Sequence, residues 1–111
     1  MSNLFKFKKY KKKQGQKKVK HPKLIVDDYG NEYGFMGLTS QKRNGKGHNN
    51  YPLKYNPEIV NGKRKTEKAY LRRKVEYDNK KKFGAISKNY VLHNEDKKDL
   101  IPIVNRRKKK R

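Results

Sequence analysis

Cleaving an RNA backbone without a metal needs few groups. One takes the 2′-hydroxyl proton, one protonates the leaving oxygen, and a cation or hydroxyl steadies the charge at phosphorus. His21, Thr39 or Ser40, His48, Arg43 and the Arg72-Arg73 pair supply those chemical types. Metal chemistry is disfavoured. His21, His48 and His93 are far apart in sequence and share no H-x-x-x-H spacing, Cys is absent, and the acids form no D-x-D cluster. No cofactor is expected, and Gly45-Lys46-Gly47 reads as a flexible turn rather than a phosphate loop of the G-x-x-x-x-G-K-[ST] kind. A second chemistry requires no catalysis. Each Lys or Arg that neutralises a phosphate releases condensed counterions, a gain that ignores sequence and is sensitive to salt. The candidate phosphate contacts are Lys11, Lys12, Lys13, Lys17 and Lys18, then Arg43, Lys46, Arg64, Arg72, Arg73 and Lys74, and finally Arg106 and Arg107. Tyr51, Tyr55 and Tyr70 are candidate stacking platforms for unpaired bases, with burial in a core as the alternative for each.

The charge balance favours the second chemistry. The 111 residues hold 33 Lys and Arg against 10 Asp and Glu, a formal net charge of +23. Such a composition borders on the disordered class, but twelve aromatic residues can each bury a large rigid surface. Charge is concentrated at the ends. Residues 1–20 hold nine Lys and no acid, and residues 106–111 are all basic. Like-charged blocks repel themselves and usually form disordered arms. The expected organisation is a basic N-terminal arm over 1–20, a folded domain over 21–105 and a basic tail over 106–111. In the arm, Phe5, Phe7 and Tyr10 alternate with Lys and could stack on bases. No apolar run approaches the roughly 18 residues of a membrane span. The absence of Cys fits a reducing cytoplasm.

The elements that must position these residues read as short strands. Lys23–Asp27 is apolar and β-branched, the segment 28–31 offers a Gly/Asn turn, and Glu32–Thr39 alternates, so the two runs form a hairpin. Residues 40–50 are a polar, basic loop, Tyr51–Tyr55 is a short extended piece, and 56–68 is a second loop. Ala69–Tyr77 reads as one strand with Leu71, Val75 and Tyr77 on a shared face. Asp78–Lys82 reads as a charged turn and Tyr90–Leu92 as a last strand. Asn94 can cap a C-terminal helix that carries Glu95 and Asp96 in its first turn, and Pro102 limits that helix to one or two turns or kinks it. The pattern predicts a mostly-β domain, a small SH3-like curled barrel of four or five strands with a short C-terminal helix.

The order His21-Pro22-x-Leu24-Ile25-Val26, a Gly turn, and a strand ending Gly37-Leu38-Thr39-Ser40 resembles the start of MazF/PemK-type proteins. Tyr90-Val91-Leu92 followed by Asn94-Glu95-Asp96 and an apolar helix resembles the C-terminal order of that family, so the likeness spans residues 21–104. It implies an SH3-like barrel, RNA contact, and in many members RNA cleavage by the arginine of an Arg-Pro step and a strand-ending threonine. The threonine matches Thr39. The arginine position is held by His21, which can exchange protons near neutral pH but is no permanent cation. The resemblance also implies dimers, which this chain's charge opposes unless a polyanion screens it.

The leading expectation is a cytoplasmic RNA-binding protein that reads phosphate geometry and shape, with DNA as the second polymer. Its small, Lys- and Asn-rich character is similar to that of proteins carried by mobile genetic elements. One alternative is a metal-independent endoribonuclease toxin of a toxin-antitoxin pair, using His21 and Thr39. Another is an anti-CRISPR-type inhibitor that competes for the guide RNA or nucleic-acid channel of an RNA-guided nuclease. A third is a ribosomal or ribonucleoprotein component. An acidic protein partner fits the charge of all of them.

Overall fold

The computed structural model describes residues 3–11 and 21–109. Among them are nine strands: β1 (Phe7–Tyr10), β2 (Lys23–Tyr29), β3 (Glu32–Thr39), β4 (Tyr51–Pro52), β5 (Ile59–Val60), β6 (Lys63–Arg64), β7 (Tyr70–Leu71), β8 (Glu76–Asn79) and β9 (Phe83–Ile86). One helix follows, α1 (Asn94–Arg107). The mostly-β domain with a C-terminal helix is the one its sequence pattern predicts. The strands are more numerous than the four or five expected: β3 has its expected bounds and β2 runs two residues further, while the later strands are shorter.

The β2–β3 hairpin is the spine. Gly30 takes φ +60° at the turn, and the pairing runs from Tyr29 opposite Glu32 to Lys23 opposite Gly37. β3 is shared along its length: its first half pairs with β8 and its end with β7. The main sheet runs β4-β7-β3-β2-β1-β9, and no ladder among the described residues joins β4 to β9. Both faces of the hairpin are buried. Leu24, Val26 and Met36 join Phe7, Leu53, Leu71, Leu92, Leu100 and Val104 in the main core. Ile25, Tyr33 and Phe35 join Phe83 and Tyr10 in a second, smaller cluster on the other face.

Three expectations about the strands are corrected. Residues 1–20 are not wholly a basic arm: β1 lies inside the sheet between β2 and β9, and Phe7 has no solvent exposure. Phe5 packs against the main core, and Tyr10 stacks near Phe35 and Phe83 at ring-centroid distances of 5.5 and 5.0 Å. These rings are structural because they alternate with lysines whose stems leave the sheet toward solvent. Ala69–Tyr77 is not one strand. It pairs at Tyr70–Leu71, crosses through Arg72–Val75 without a strand partner, and pairs again from Glu76 along β3. Tyr77 therefore leaves the Leu71 face and donates its hydroxyl to Asp27 Oδ2 at 2.8 Å. Tyr90–Leu92 forms only an isolated bridge from Tyr90 to Glu58.

The helix also exceeds its expected length, running through Pro102. Asp96, Leu100 and Val104 form one buried stripe at four-residue spacing, while Pro102 and Lys98 are exposed. The backbone bond that Pro102 cannot make, to the Lys98 carbonyl, joins two residues on the exposed side of the helix. The cap is His93 rather than Asn94: its Nδ1 accepts from the Glu95 amide at 3.1 Å. Asp96 is 1% exposed, and its carboxylate accepts from the Lys54 and Tyr55 amides at 2.8 and 3.0 Å. That ties the helix start to the chain after β4 and leaves the buried charge hydrogen-bonded. Arg106 and Arg107, expected in a tail, form the last helical turn. No helix among the described residues is long and apolar enough to cross a membrane.

Candidate nucleic-acid interface

The crossing segment Arg72–Val75 has its backbone tied at one end, where the Arg72 amide donates to the Gly37 carbonyl at 2.8 Å. A side chain at Gly37 would meet the Arg72 stem, 3.3 Å from a built Cβ, so glycine lets Arg72 lie close across β3. Arg73 Nε donates to the Asn49 carbonyl at 2.8 Å, and its guanidinium sits 5.9 Å from the Tyr51 ring centroid. Arg72, Arg73 and Lys74 are all exposed.

The 40–50 loop that faces them is ordered by asparagines. Asn44 Oδ1 accepts from the Lys46 and His48 amides at 2.8 and 3.0 Å, and the Asn44 amide donates to the His48 carbonyl at 2.8 Å. Gly47 takes φ +82° to close this turn. Asn50 is buried and donates to the Gln41 carbonyl at 2.9 Å, closing the loop base. The loop, the crossing segment and the end of α1 enclose a cleft of about 510 Å³. His48 lines one side, Arg72, Arg73 and Lys74 another, and Arg107 a third, with Glu76 the one acid lining it.

Ion pairs among the described residues engage other cations: Lys54 with Asp99, Lys65 with Glu58, Lys80 with Asp28, Lys82 with Asp78 and Lys109 with Glu32. None of these pairs takes Arg72, Arg73, Lys74 or Arg107. Arg107 adds a cation from the helix C-terminus, whose dipole favours positive charge there. The arrangement can hold phosphate oxygens and needs no metal. Among the described residues, no three His, Cys, Asp or Glu side chains converge.

Other candidates fall elsewhere. Arg43 and Lys46 are exposed on the same loop but outside the cleft lining, and Arg106 is exposed beside Arg107. Arg64 is a staple: its Nη1 donates to the Asn56 and Val91 carbonyls at 3.2 and 2.6 Å. Lys11 follows β1 and its amide donates to the Lys82 carbonyl. Lys12, Lys13, Lys17 and Lys18 lie outside the described residues. The three tyrosines are not gathered. Tyr51 packs on the main core, and burial first, then Asp99 and Asp96, raises its hydroxyl pKa. Tyr55 already stacks on His93, with centroids 3.8 Å apart and planes 16° from parallel. Tyr70 is half-buried opposite Thr39 and Pro52.

His21 and Thr39 share one cleft. Both line a second cleft of about 300 Å³ together with Ser40, Glu58 and Lys65. His21 Nδ1 is 3.4 Å from the Tyr90 hydroxyl, and burial followed by the Glu58 carboxylate raises that hydroxyl's pKa. Thr39 is buried, with Oγ1 accepting from the Gln41 amide at 3.1 Å. Glu58 and Tyr90, bridged by their backbones, carry no sequence signal that would place them beside His21.

Comparison with protein-family models, curated proteins and solved structures finds no match.

Proposed function

We propose that this chain is a cytoplasmic RNA-binding protein that grips phosphates in the cleft formed by Arg72, Arg73, Lys74 and Arg107. The observation that carries this reading is the convergence of those four cations from two distant segments, faced by His48 and with Glu76 as the one lining acid. Arginine suits the task because its planar fork matches phosphate oxygens in pairs and remains charged at any physiological pH. The reading fits recognition by backbone shape, since the cleft draws its cations from a crossing segment and a helix end rather than from one helix face.

The test is fluorescence anisotropy with labelled single-stranded RNA, a folded guide-like RNA and a DNA duplex, with EDTA present throughout. The expected result is RNA binding that Arg72→Ala/Arg73→Ala/Arg107→Ala weakens strongly and Arg64→Ala leaves largely intact. Equal affinity of the triple variant, or preference for duplex DNA, would overturn it.

A second reading rests on one observation, the shared cleft of His21 and Thr39. In it, the His21 imidazole takes the 2′-hydroxyl proton as that oxygen bonds to phosphorus, Lys65 and the Thr39 hydroxyl steady the phosphate, and the 5′-oxygen leaves with a proton from water. Cleavage of single-stranded RNA in EDTA, lost in both His21→Ala and Thr39→Ala with the fold intact, supports that reading. Intact RNA after prolonged incubation discards it.

A further inference from the structure

A third surface shares no lining residue with the arginine cleft. Residues 4–6, the end of β9 and the stretch from Tyr90 to Lys97 enclose a groove of about 270 Å³. Among the described residues, half of the large hydrophobic side chains that are exposed gather there: Leu4 at 37%, Ile86 at 43% and Val91 at 45% exposure. Lys6, Lys88 and Lys97 also line the groove, and no acid does. β9 ends the path of the sheet and pairs only with β1 among the described residues.

Apolar side chains set among cations select a particular ligand. Aliphatic side chains offer neither a stacking face nor a hydrogen bond to a base, so Leu4, Ile86 and Val91 contribute little to nucleic acid binding, and the two rings lining the groove, Phe5 and Tyr90, are packed against the main core. A second copy of this chain would bring its own +23 charge and its own basic groove against this one. An acidic protein segment satisfies both features: its carboxylates meet the lysines, and an aliphatic or aromatic side chain covers the exposed patch. The edge of β9 adds backbone groups of the kind that extended peptides pair with. We infer that this groove docks an acidic, extended segment of a partner protein, with apolar side chains against Ile86 and Val91 and carboxylates against Lys6, Lys88 and Lys97. This docking does not depend on RNA binding at the arginine cleft.

Three labelled probes test it by anisotropy on the full chain: a peptide of alternating Glu and Leu, the same peptide with Ser for Leu, and polyuridylate. The Leu peptide is expected to bind about tenfold tighter than the Ser peptide, the worth of one buried aliphatic side chain. Ile86→Ser/Val91→Ser should abolish that advantage and leave polyuridylate binding unchanged. Lys88→Glu/Lys97→Glu should weaken the Leu peptide independently, which covers the case where the serine variant loses stability. Equal binding of the two peptides to the wild type, or an undiminished Leu advantage in both variants, overturns the inference. So does a parallel loss of polyuridylate binding in the serine variant, which would give the groove to nucleic acid, or a wild-type dimer that the serine variant dissociates, which would give it to a second copy.

Discussion

Gly34 shows how tightly one residue is held. A Cβ built there lies 2.8 Å from both Asp27 Cβ and the Tyr77 ring, which leaves no room for a methyl group. The same close approach lets the Tyr77 hydroxyl reach the buried Asp27 carboxylate. Gly34→Ala is expected to lower unfolding stability by about 2 kcal/mol, within the usual range for overpacking. An unchanged denaturation midpoint would contradict that packing. Tyr10 and Asp78 form a second residue-scale device, joined by a hydrogen bond from the tyrosine hydroxyl to Asp78 Oδ2. Burial, then that bond, then the charges of Asp78 and Glu76 push the Tyr10 pKa from 10.0 up to about 12. For Asp78, burial alone acts upward, but Tyr10, the Asn79 amide and Lys82 outweigh it and hold the carboxyl below its ordinary value. The Asp78 contribution is therefore present above the ordinary carboxylate range and is lost as pH falls through its folded value. The Tyr10 contribution is intact below 10 and is lost as pH rises toward about 12. Thermal melts across pH should show both limbs, and Tyr10→Phe should make both shallower. Identical limbs in the variant would exclude the pair as their source.

At the scale of elements, β1 matters most, because it places an N-terminal strand inside the sheet. Phe7→Ala should cost about 3–5 kcal/mol, as for other fully buried phenylalanines, whereas Lys9→Ala on the same strand should leave the melting temperature nearly unchanged. Equal, small effects of the two would mean that the segment is only a solvated arm. The β2–β3 hairpin was legible in the sequence because its apolar run, its Gly30 turn and its alternation agree. β1 was hidden by Lys6, Lys8 and Lys9, which mask the alternation of Phe5 and Phe7 and raise the local charge to that of a disordered tail. Pro102 suggested a short helix, yet the stripe of Asp96, Leu100 and Val104 anchors α1 on the side away from the missing hydrogen bond. Arg72, Arg73, Lys74 and Arg107 were recognisable by type, but not as neighbours. Their meeting depends on the break in pairing between β7 and β8 and on the length of the helix, neither of which periodicity reveals.

The whole molecule joins a compact apolar core to an excess of cations, and the acids in its ion pairs lie outside the lining of the arginine cleft. Many of those cations attract any polyanion, so affinity alone does not distinguish a built site from diffuse attraction. Salt dependence does, because its slope counts the phosphates neutralised. The deciding measurement is the affinity for single-stranded RNA across a potassium chloride series, for the wild type and for Arg72→Ala/Arg73→Ala/Arg107→Ala. With each phosphate contact worth about 0.7 in the log–log slope, removing three should flatten the slope by about 2. A slope that stays the same, with affinity lowered no more than by removing three surface lysines such as Lys63, Lys68 and Lys98, would contradict the cleft as the place where RNA is held.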